Sequence, residues 1–183
     1  MAKADKLQRF YDLIDDIETA MLTTRREDGL LVSRPMATQA RSSGADLWFV
    51  TAKASQKLDE IRFDKNVNVG YFHPRTKEWV SVSGVAKIVR DREKIHELYR
   101  PDWRAWFGDE GGAKDGTPDD PRMTLIGVNI RIAVYLELNK PQPVILFEVL
   151  KGMITGKRPD FPPPQVIDRD EARKGRSKTR LRR

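Results

Sequence analysis

Gly29-Leu-Leu-Val-Ser-Arg-Pro-Met36 and Leu47-Trp-Phe-Val-Thr51 are the two stretches that decide the fold. Both are short apolar runs typical of β-strands, and each carries a group suited to holding an anion. The first contains the guanidinium of Arg34 and the second ends on the hydroxyl of Thr51. Ser55-Gln-Lys57 follows with another hydroxyl and an ammonium. Because an Arg fork and a Lys point charge commonly hold a phosphate dianion together, the pattern predicts a phosphate site on a β scaffold.

Ser55 is also predicted to be the N-cap of a short helix that runs from Gln56 to Arg62. Free backbone amides and the helix dipole attract anions at such an end, which agrees with a phosphate site. Simpler interpretations exist for each residue alone. Arg34 could be a surface arginine, Ser55 an ordinary cap and Thr51 a solvent-facing strand end.

The composition predicts a single globular domain. The chain has 183 residues, 33% of them charged and 39% hydrophobic. The first residues lack the apolar segment of a signal peptide, and no apolar run approaches the roughly 18 residues of a membrane span. Without cysteine there is no disulfide framework, and two isolated histidines, His73 and His96, do not make a metal site. We expect a cytoplasmic protein with no membrane or metal partner.

The net charge of +7 belongs to the C-terminal end of the chain. Residues 157–183 hold ten Lys and Arg against four Asp and Glu, a net of +6, which leaves +1 for the first 156 residues. Phe161-Pro-Pro-Pro164 is stiff, and few apolar residues follow it. We predict a domain at residues 1–155 and a disordered Pro-rich linker and basic tail at residues 156–183. The tail could bind nucleic acid by counterion release or merely solubilise the chain.

Hydrophobic periodicity predicts six strands, mostly antiparallel, and few helices. The strands are predicted at residues 19–26, 30–40, 46–51, 66–73, 78–90 and 123–138. Pro35 argues that its strand lies at an edge or carries a bulge, because proline cannot donate to the ladder. Val144–Met153 could be a strand or a helix. Gly108–Pro121 is predicted to be a loop, in which Asp119 and Asp120 are expected to be solvated.

Six motifs, in their order along the chain, resemble the FMN-binding split barrels related to pyridoxamine 5'-phosphate oxidase, in the branch of the bacterial general stress proteins. They are Ser33-Arg-Pro-Met36, Leu47-Trp-Phe-Val-Thr51, Ser55-Gln-Lys57, Asn66-Val-Asn-Val69, Val80-Ser-Val-Ser-Gly84 and Trp103-Arg-Ala-Trp-Phe107. The resemblance implies a mainly β fold, an antiparallel split β-barrel with flanking helices. It also implies a homodimer with FMN in the cleft between the subunits.

The resemblance further implies a cofactor site made of three groups of residues. The side chains that would hold the FMN phosphate are those of Arg34, Thr51, Ser55 and Lys57. The backbone that would face the edge of the flavin ring belongs to Pro35, Met36, Val50 and Thr51. The residues that a second subunit would contribute are Trp79, Ser81 and Trp106. From the residues alone, the aromatic side chains of Trp103, Trp106 and Phe107 are more readily interpreted as core or interface anchors than as groups that stack on the flavin.

The implied function is a flavin-dependent oxidoreductase that exchanges two electrons with a small substrate of unknown identity. Pyridoxamine phosphate oxidases proper end in an Arg-x-His element, and this chain has no histidine in its C-terminal region. We therefore do not predict pyridoxamine phosphate oxidase activity, and no side chain is predicted to be a catalytic acid or base. The alternative is a non-catalytic module that stores or senses flavin, with a basic tail that engages a polyanion.

Overall fold

The computed structural model describes residues 3–138, 142–156 and 161–180. Its strands are β1 (Thr19–Arg25), β2 (Leu31–Ala37), β3 (Leu47–Ala52), β4 (Asn66–Phe72), β5 (Trp79–Val89), β6 (Met123–Leu136) and β7 (Gln165–Asp168). Its helices are α1 (Lys3–Ile17), α2 (Gln56–Phe63), α3 (Arg92–Leu98), α4 (Trp103–Phe107), α5 (Gln142–Thr155) and α6 (Arg169–Arg180).

The strands form one antiparallel sheet in the order β2-β1-β4-β5-β6-β3, with β7 paired to β6. The sheet curls into a half-barrel, and beyond β2 the amide of Gln39 donates to the carbonyl of Trp48 in β3 at 2.8 Å. The predicted antiparallel split barrel with flanking helices is thereby confirmed. Pro35 lies in β2 at the end of the strand order, which confirms the edge position. The ladder passes Pro35 in continuous register with β1, so there is no bulge there.

Alternation along the strands divides the core into two clusters. The inner face of the sheet is closed by α1 and α2, and its buried members include Phe10, Ile14, Leu22, Phe49, Leu58, Ile61 and Ile126. The outer cluster lies between the sheet and the α3–α4 region, and it contains Ala45, Trp48, Ile95, Leu98, Trp103, Met123 and Leu125. Because Leu58 and Ile61 are on one side of α2, that helix is anchored over the inner face.

The long strands β5 and β6 are bent by a β-bulge at Ser83/Gly84, where the register shifts. A Cβ atom at Gly84 would stand 2.7 Å from Cγ1 of Val128 and 2.8 Å from the carbonyl oxygen of Asn129. Only glycine therefore allows β6 to approach this closely. The bulge increases the local twist and helps the sheet to curl around α2.

The C-terminal segment corrects the prediction of a disordered tail. Residues 165–168 form β7, and residues 169–180 form α6. Ile167 and Ala172 are completely buried against the domain, and Glu171 pairs with Lys6 of α1 at 3.2 Å. The prediction was wrong because two well-spaced small or apolar side chains and one open sheet edge are enough to dock a segment of low overall hydrophobicity. Residues 157–160 and 181–183 of the predicted tail lie outside the described part of the chain.

Residues 144–153, for which the pattern left strand and helix open, belong to α5. Leu146, Phe147 and Ile154 of this helix are strongly exposed. Among the helices that the structure describes, none has both the length and the apolar character that crossing a membrane requires.

The loop at residues 108–121 also differs from the expectation of a solvated segment. The carboxylate of Asp120 is fully buried. It accepts hydrogen bonds from the Gly116 amide at 3.0 Å and from the Arg122 guanidinium at 2.6 Å. Asp119, the neighbouring carboxylate, is exposed as predicted and lies 2.7 Å from the His96 ring. The buried Asp120 carboxylate therefore holds this Gly/Pro-rich loop together by hydrogen bonds.

Candidate functional site

The hydroxyls of Thr51 and Ser55 converge on the ammonium of Lys57. Lys57 Nζ donates to Thr51 Oγ1 at 2.9 Å and to Ser55 Oγ at 2.6 Å. Thr51 ends the inward-facing row of β3 and is buried, and Lys57 stands in the first turn of α2. Ser55 occupies the N-cap position as predicted, but its hydroxyl makes no capping hydrogen bond. That hydroxyl is engaged by Lys57 instead, so the predicted capping role of the side chain was wrong.

Arg34 reaches the same region from the edge strand. It lies opposite Leu22 in the β1–β2 ladder, so its side chain shares the inner face of the sheet. Its guanidinium donates to Glu60 of α2 at 2.6 Å and also to the hydroxyl of Thr24. Thr24 in turn donates to Glu60. Arg34, Glu60 and Thr24 thus form a buried network that joins β1, β2 and α2.

Electrostatics show that the two cations are neighbours. Burial of the Lys57 ammonium lowers its pKa below the ordinary lysine value, and the charge of Arg34 lowers this pKa further. The carboxylate of Glu60 acts in the opposite direction. Two positive charges therefore face one negative charge at a partly desolvated site. We call Arg34, Thr51, Ser55 and Lys57 the cradle.

The other predicted residues on these strands are placed on both faces of the sheet. Met36 is half-buried and packs on the inner cluster, while Pro35 is exposed on the opposite face of β2. The side chain of Val50 packs on the outer cluster, away from Thr51. Their side chains are therefore not gathered around the cradle. A ligand role of Pro35 or Val50 would depend on the backbone, because their side chains lie on the face opposite the cradle.

The residues expected from a second subunit lie elsewhere on the chain. Trp79 begins β5 opposite Phe72, and Ser81 accepts a hydrogen bond from Asn68 Nδ2 at 3.1 Å. Trp106 on α4 is 86% exposed, whereas Trp103 on the same short helix is buried and donates to Gln39 at 2.8 Å. Of the two tryptophans, Trp103 is a core residue and Trp106 presents its ring to solvent.

Glu60 and Thr24, which hold Arg34 in position, were not among the residues predicted from the sequence. A signal for each was present in the local pattern. Glu60 is three residues after Lys57 and so shares its side of α2, and Thr24 continues the inward alternation of Ala20 and Leu22. The sequence pattern does not show that Glu60 contacts Arg34, because the two residues are 26 positions apart in the chain.

A family model for proteins like pyridoxamine 5'-phosphate oxidase matches residues 5–160. The chain belongs to this family. Among curated proteins, it is 39% identical to protein bli-3 of Neurospora crassa over 161 residues, which cover 86% of this chain and 77% of bli-3.

Solved structures share the fold of this pyridoxamine 5'-phosphate oxidase-like protein. One is a protein from Jannaschia sp. CCS1 assigned as general stress protein 26, with a TM-score of 0.69 and 23% identity over 90% of this chain and 99% of that chain. Another is a pyridoxamine 5'-phosphate oxidase-related, FMN-binding protein from Nostoc punctiforme. Its TM-score is 0.58, with 15% identity over 74% of this chain and 85% of that chain.

Proposed function

We propose that this protein binds FMN and that the cradle holds the FMN phosphate. The observation that carries the proposal is the excess of positive charge at the cradle, where Arg34 and Lys57 face the single carboxylate of Glu60. A phosphate dianion would supply the missing negative charge and accept hydrogen bonds from the ammonium, the guanidinium and the two hydroxyls. The FMN-binding relative of the same fold supports FMN among the phosphate-bearing ligands.

Each cradle residue would contribute in a different way. Lys57, already partly desolvated, can exchange its two hydroxyl partners for phosphate oxygens at a reduced desolvation cost. Arg34 is fixed by Glu60 and Thr24, so little side-chain entropy is lost when its free N–H groups meet an oxyanion.

Backbone at Pro35, Met36 and Val50 would line the edge of the flavin ring. FMN, when bound, supplies two-electron redox chemistry, and we propose exchange with a small substrate.

We also propose a homodimer in which a second copy completes the flavin site with Trp79, Ser81 and Trp106. The exposed indole of Trp106 supports this, because a large aromatic side chain that is 86% exposed is typical of an interface anchor. Light scattering of the full chain tests the proposal. We expect twice the monomer mass, and a single monomeric species with bound flavin would contradict it.

The test of the phosphate assignment compares FMN with riboflavin, which lacks the phosphate. We expect the full chain to bind FMN more tightly than riboflavin, measured by quenching of flavin fluorescence. Lys57→Ala should weaken FMN by about 1.5–3 kcal/mol, the range for a charge-assisted hydrogen bond, and leave riboflavin unchanged. Lys65→Ala, at an exposed position beyond the end of α2, is the matched control. Equal affinity for the two flavins would remove the assignment.

A non-catalytic flavin carrier or sensor is the second candidate function. Glu60 is the carboxylate that faces the cradle. Its hydrogen bonds from Arg34 and Thr24 engage the oxygen that would have to accept a proton in catalysis. Bleaching of bound flavin by NAD(P)H, followed by reoxidation in air, would favour the enzyme, whereas flavin that resists both would favour the carrier. Both roles are proposed for the cytoplasm, a reducing compartment that a chain without cysteine suits.

A further inference from the structure

A cleft of about 350 Å³ lies beside α2, lined by Arg62, Ile88 and Arg90. We call it the arginine cleft. Lys57 is in the first turn of α2 and Arg62 is in the last, so the two side chains start about 7–8 Å apart along the helix axis. The cleft therefore belongs to the opposite end of the helix from the cradle. No role has been given to it by the function proposed above.

Two guanidinium groups enter the cleft from two different elements. Arg62 comes from α2, and Arg90 directly follows β5. Arg62 pairs with Asp59 on the helix surface, where the two side chains are 47% and 74% exposed. Such an exposed pair contributes little and is readily exchanged for another anion. No carboxylate within residues 3–138, 142–156 and 161–180 forms an ion pair with Arg90.

The remaining side of the cleft is apolar. Ile88 is half-buried and packs on the inner core cluster, and its remaining surface supplies the apolar part of the lining. The combination of a few charged groups with an apolar wall is what small-molecule sites present. A volume of about 350 Å³ corresponds to the lower end of the range of such sites.

The strand register places a further polar side chain, that of Thr124, next to Arg90 on the inner face of the sheet. Val89 of β5 pairs with Leu125 of β6, so the next position, Arg90, is opposite Thr124. Thr124 is completely buried, and its hydroxyl has no hydrogen-bond partner among the described residues. It also pairs with Thr51 of the cradle across β3 and β6. A row of polar positions, Thr51, Thr124 and Arg90, therefore crosses the inner face under α2.

We propose that the arginine cleft is a second ligand site, which binds a small organic anion made of a phosphate or carboxylate head and an apolar ring or chain. The guanidinium forks of Arg62 and Arg90 match either oxyanion by paired hydrogen bonds. The apolar body of the ligand packs against Ile88. The site is separate from the cradle, because it uses the other end of α2 and a different strand.

The experiment uses phenyl phosphate as the probe and the δ1 methyl group of Ile88 as the reporter. The full chain with labelled isoleucine methyls is titrated and followed by NMR. We expect a saturable shift of the Ile88 signal. Arg62→Ala and Arg90→Ala should each weaken the apparent affinity by about tenfold or more, the loss expected for one charge-assisted pair. Arg75→Ala, an exposed arginine in a turn, is the matched control and should change nothing.

Further arms of the experiment identify the chemistry and keep the site distinct from the cradle. Benzoate carries a carboxylate in place of the phosphate. The tighter-binding of the two probes, phenyl phosphate or benzoate, shows which anionic group the cleft prefers. Benzyl alcohol lacks the charge and should not shift Ile88. The Ile88 response must persist in Lys57→Ala, which removes the competing cradle. The inference is overturned if neither anion shifts Ile88, if benzyl alcohol matches them, or if the response survives both arginine substitutions.

Discussion

Two charged clusters in this protein are each organised by an arginine, and they differ in their balance of charge. Arg122 in the loop cluster meets two carboxylates, Asp120 at 2.6 Å and Glu110 at 2.7 Å, and also donates to the carbonyls of Gly108 and Lys114. Arg34 in the cradle shares one carboxylate, Glu60, with a second cation, Lys57. In the first cluster the positive charge of Arg122 is paired with carboxylates of the chain. In the second cluster the two cations exceed the one carboxylate, which leaves an excess of positive charge.

The difference separates a cluster whose charges are paired within the chain from one with an excess of positive charge, which we propose that an anionic ligand neutralises. Hydrogen bonds from Arg122 and from backbone amides lower the pKa of Asp120 to about 2, so this carboxylate stabilises the folded loop. Burial and a like charge lower the pKa of Lys57, so the charged form of Lys57 opposes folding. The charged form of Lys57 therefore lowers the stability of the folded protein, whereas the charged form of Asp120 raises it. A bound anion would make the charge of Lys57 stabilising and would not affect Asp120.

The largest loss of unfolding free energy is expected from Asp120→Ala. Removal of a buried carboxylate that Arg122 and two backbone amides use should lower the free energy of unfolding by about 2–3 kcal/mol, measured by urea denaturation. Flavin affinity of the folded protein should not change. Asp119→Ala is the matched control, because that side chain is 78% exposed, and it should cost about 0.5 kcal/mol or less. Equal losses would show that the burial of Asp120 has no energetic consequence.

Arg34→Ala should affect both stability and binding, and so tests the double role of the cradle network. It leaves Glu60 buried with Thr24 as its remaining partner, which should cost about 1–2 kcal/mol of unfolding free energy in addition to about 1.5–3 kcal/mol of FMN affinity. Urea denaturation and flavin titration measure the two losses. Arg34→Lys keeps the charge without the fork and should recover part of each. Loss of affinity with full stability would mean that the Glu60 pair is dispensable.

Acid titration should sharpen the same contrast. The pKa of Asp120 is lowered in the folded state, so its contribution to stability is complete above the ordinary aspartate pKa and is lost as the pH falls towards about 2. We expect Asp120→Asn to remove this part of the pH dependence, measured as unfolding midpoints between pH 5 and the acid limit. A variant that keeps the full acid sensitivity would assign it to other carboxylates.

Alkaline titration should act on the cradle in the opposite sense. Lys57 would hold an anion only as the ammonium, and its lowered pKa brings the loss of that charge to a lower pH than for an ordinary lysine. FMN affinity should therefore fall as the pH rises towards the lysine range. Lys57→Arg stays charged and should bind with less dependence on pH. Parallel profiles for the two proteins would exclude Lys57 as the titrating group.

The smallest effect is expected from Glu60→Gln, which removes the negative charge that competes with a phosphate for Arg34. FMN should bind more tightly by about 0.5–1 kcal/mol, as for a partly screened charge pair. Asp59→Asn, one residue earlier and 74% exposed, serves as the control in the same titration. Weaker binding in Glu60→Gln would mean that the carboxylate positions Arg34 more than it competes for it.

Prediction from the sequence was accurate where the signal is local. The alternation in β1, β4 and β5 and the proline of β2 located the strands, and the spacing Thr51, Ser55, Lys57 located three side chains that the structure brings into hydrogen-bond contact. It was inaccurate where burial or a remote partner decides the outcome. The partners of Asp120 are near in the chain, Arg122 two residues later and Gly116 four residues earlier, but the sequence does not show that the loop folds around its carboxylate. Nothing in residues 165–172 announces that β6 leaves an edge for them.

The sequence by itself therefore determined six of the seven described strands, the family and the choice of cations, because periodicity and residue chemistry are properties of neighbours along the chain. Tertiary structure decided which carboxylate Arg34 meets, which charges are buried and where the C-terminal segment docks. These outcomes depend on the curl of the sheet, which brings residues 26 apart in the chain, such as Arg34 and Glu60, to 2.6 Å. The energy of a charge depends on what surrounds it, and these surroundings are defined only once the sheet has curled and α2 has packed on its inner face.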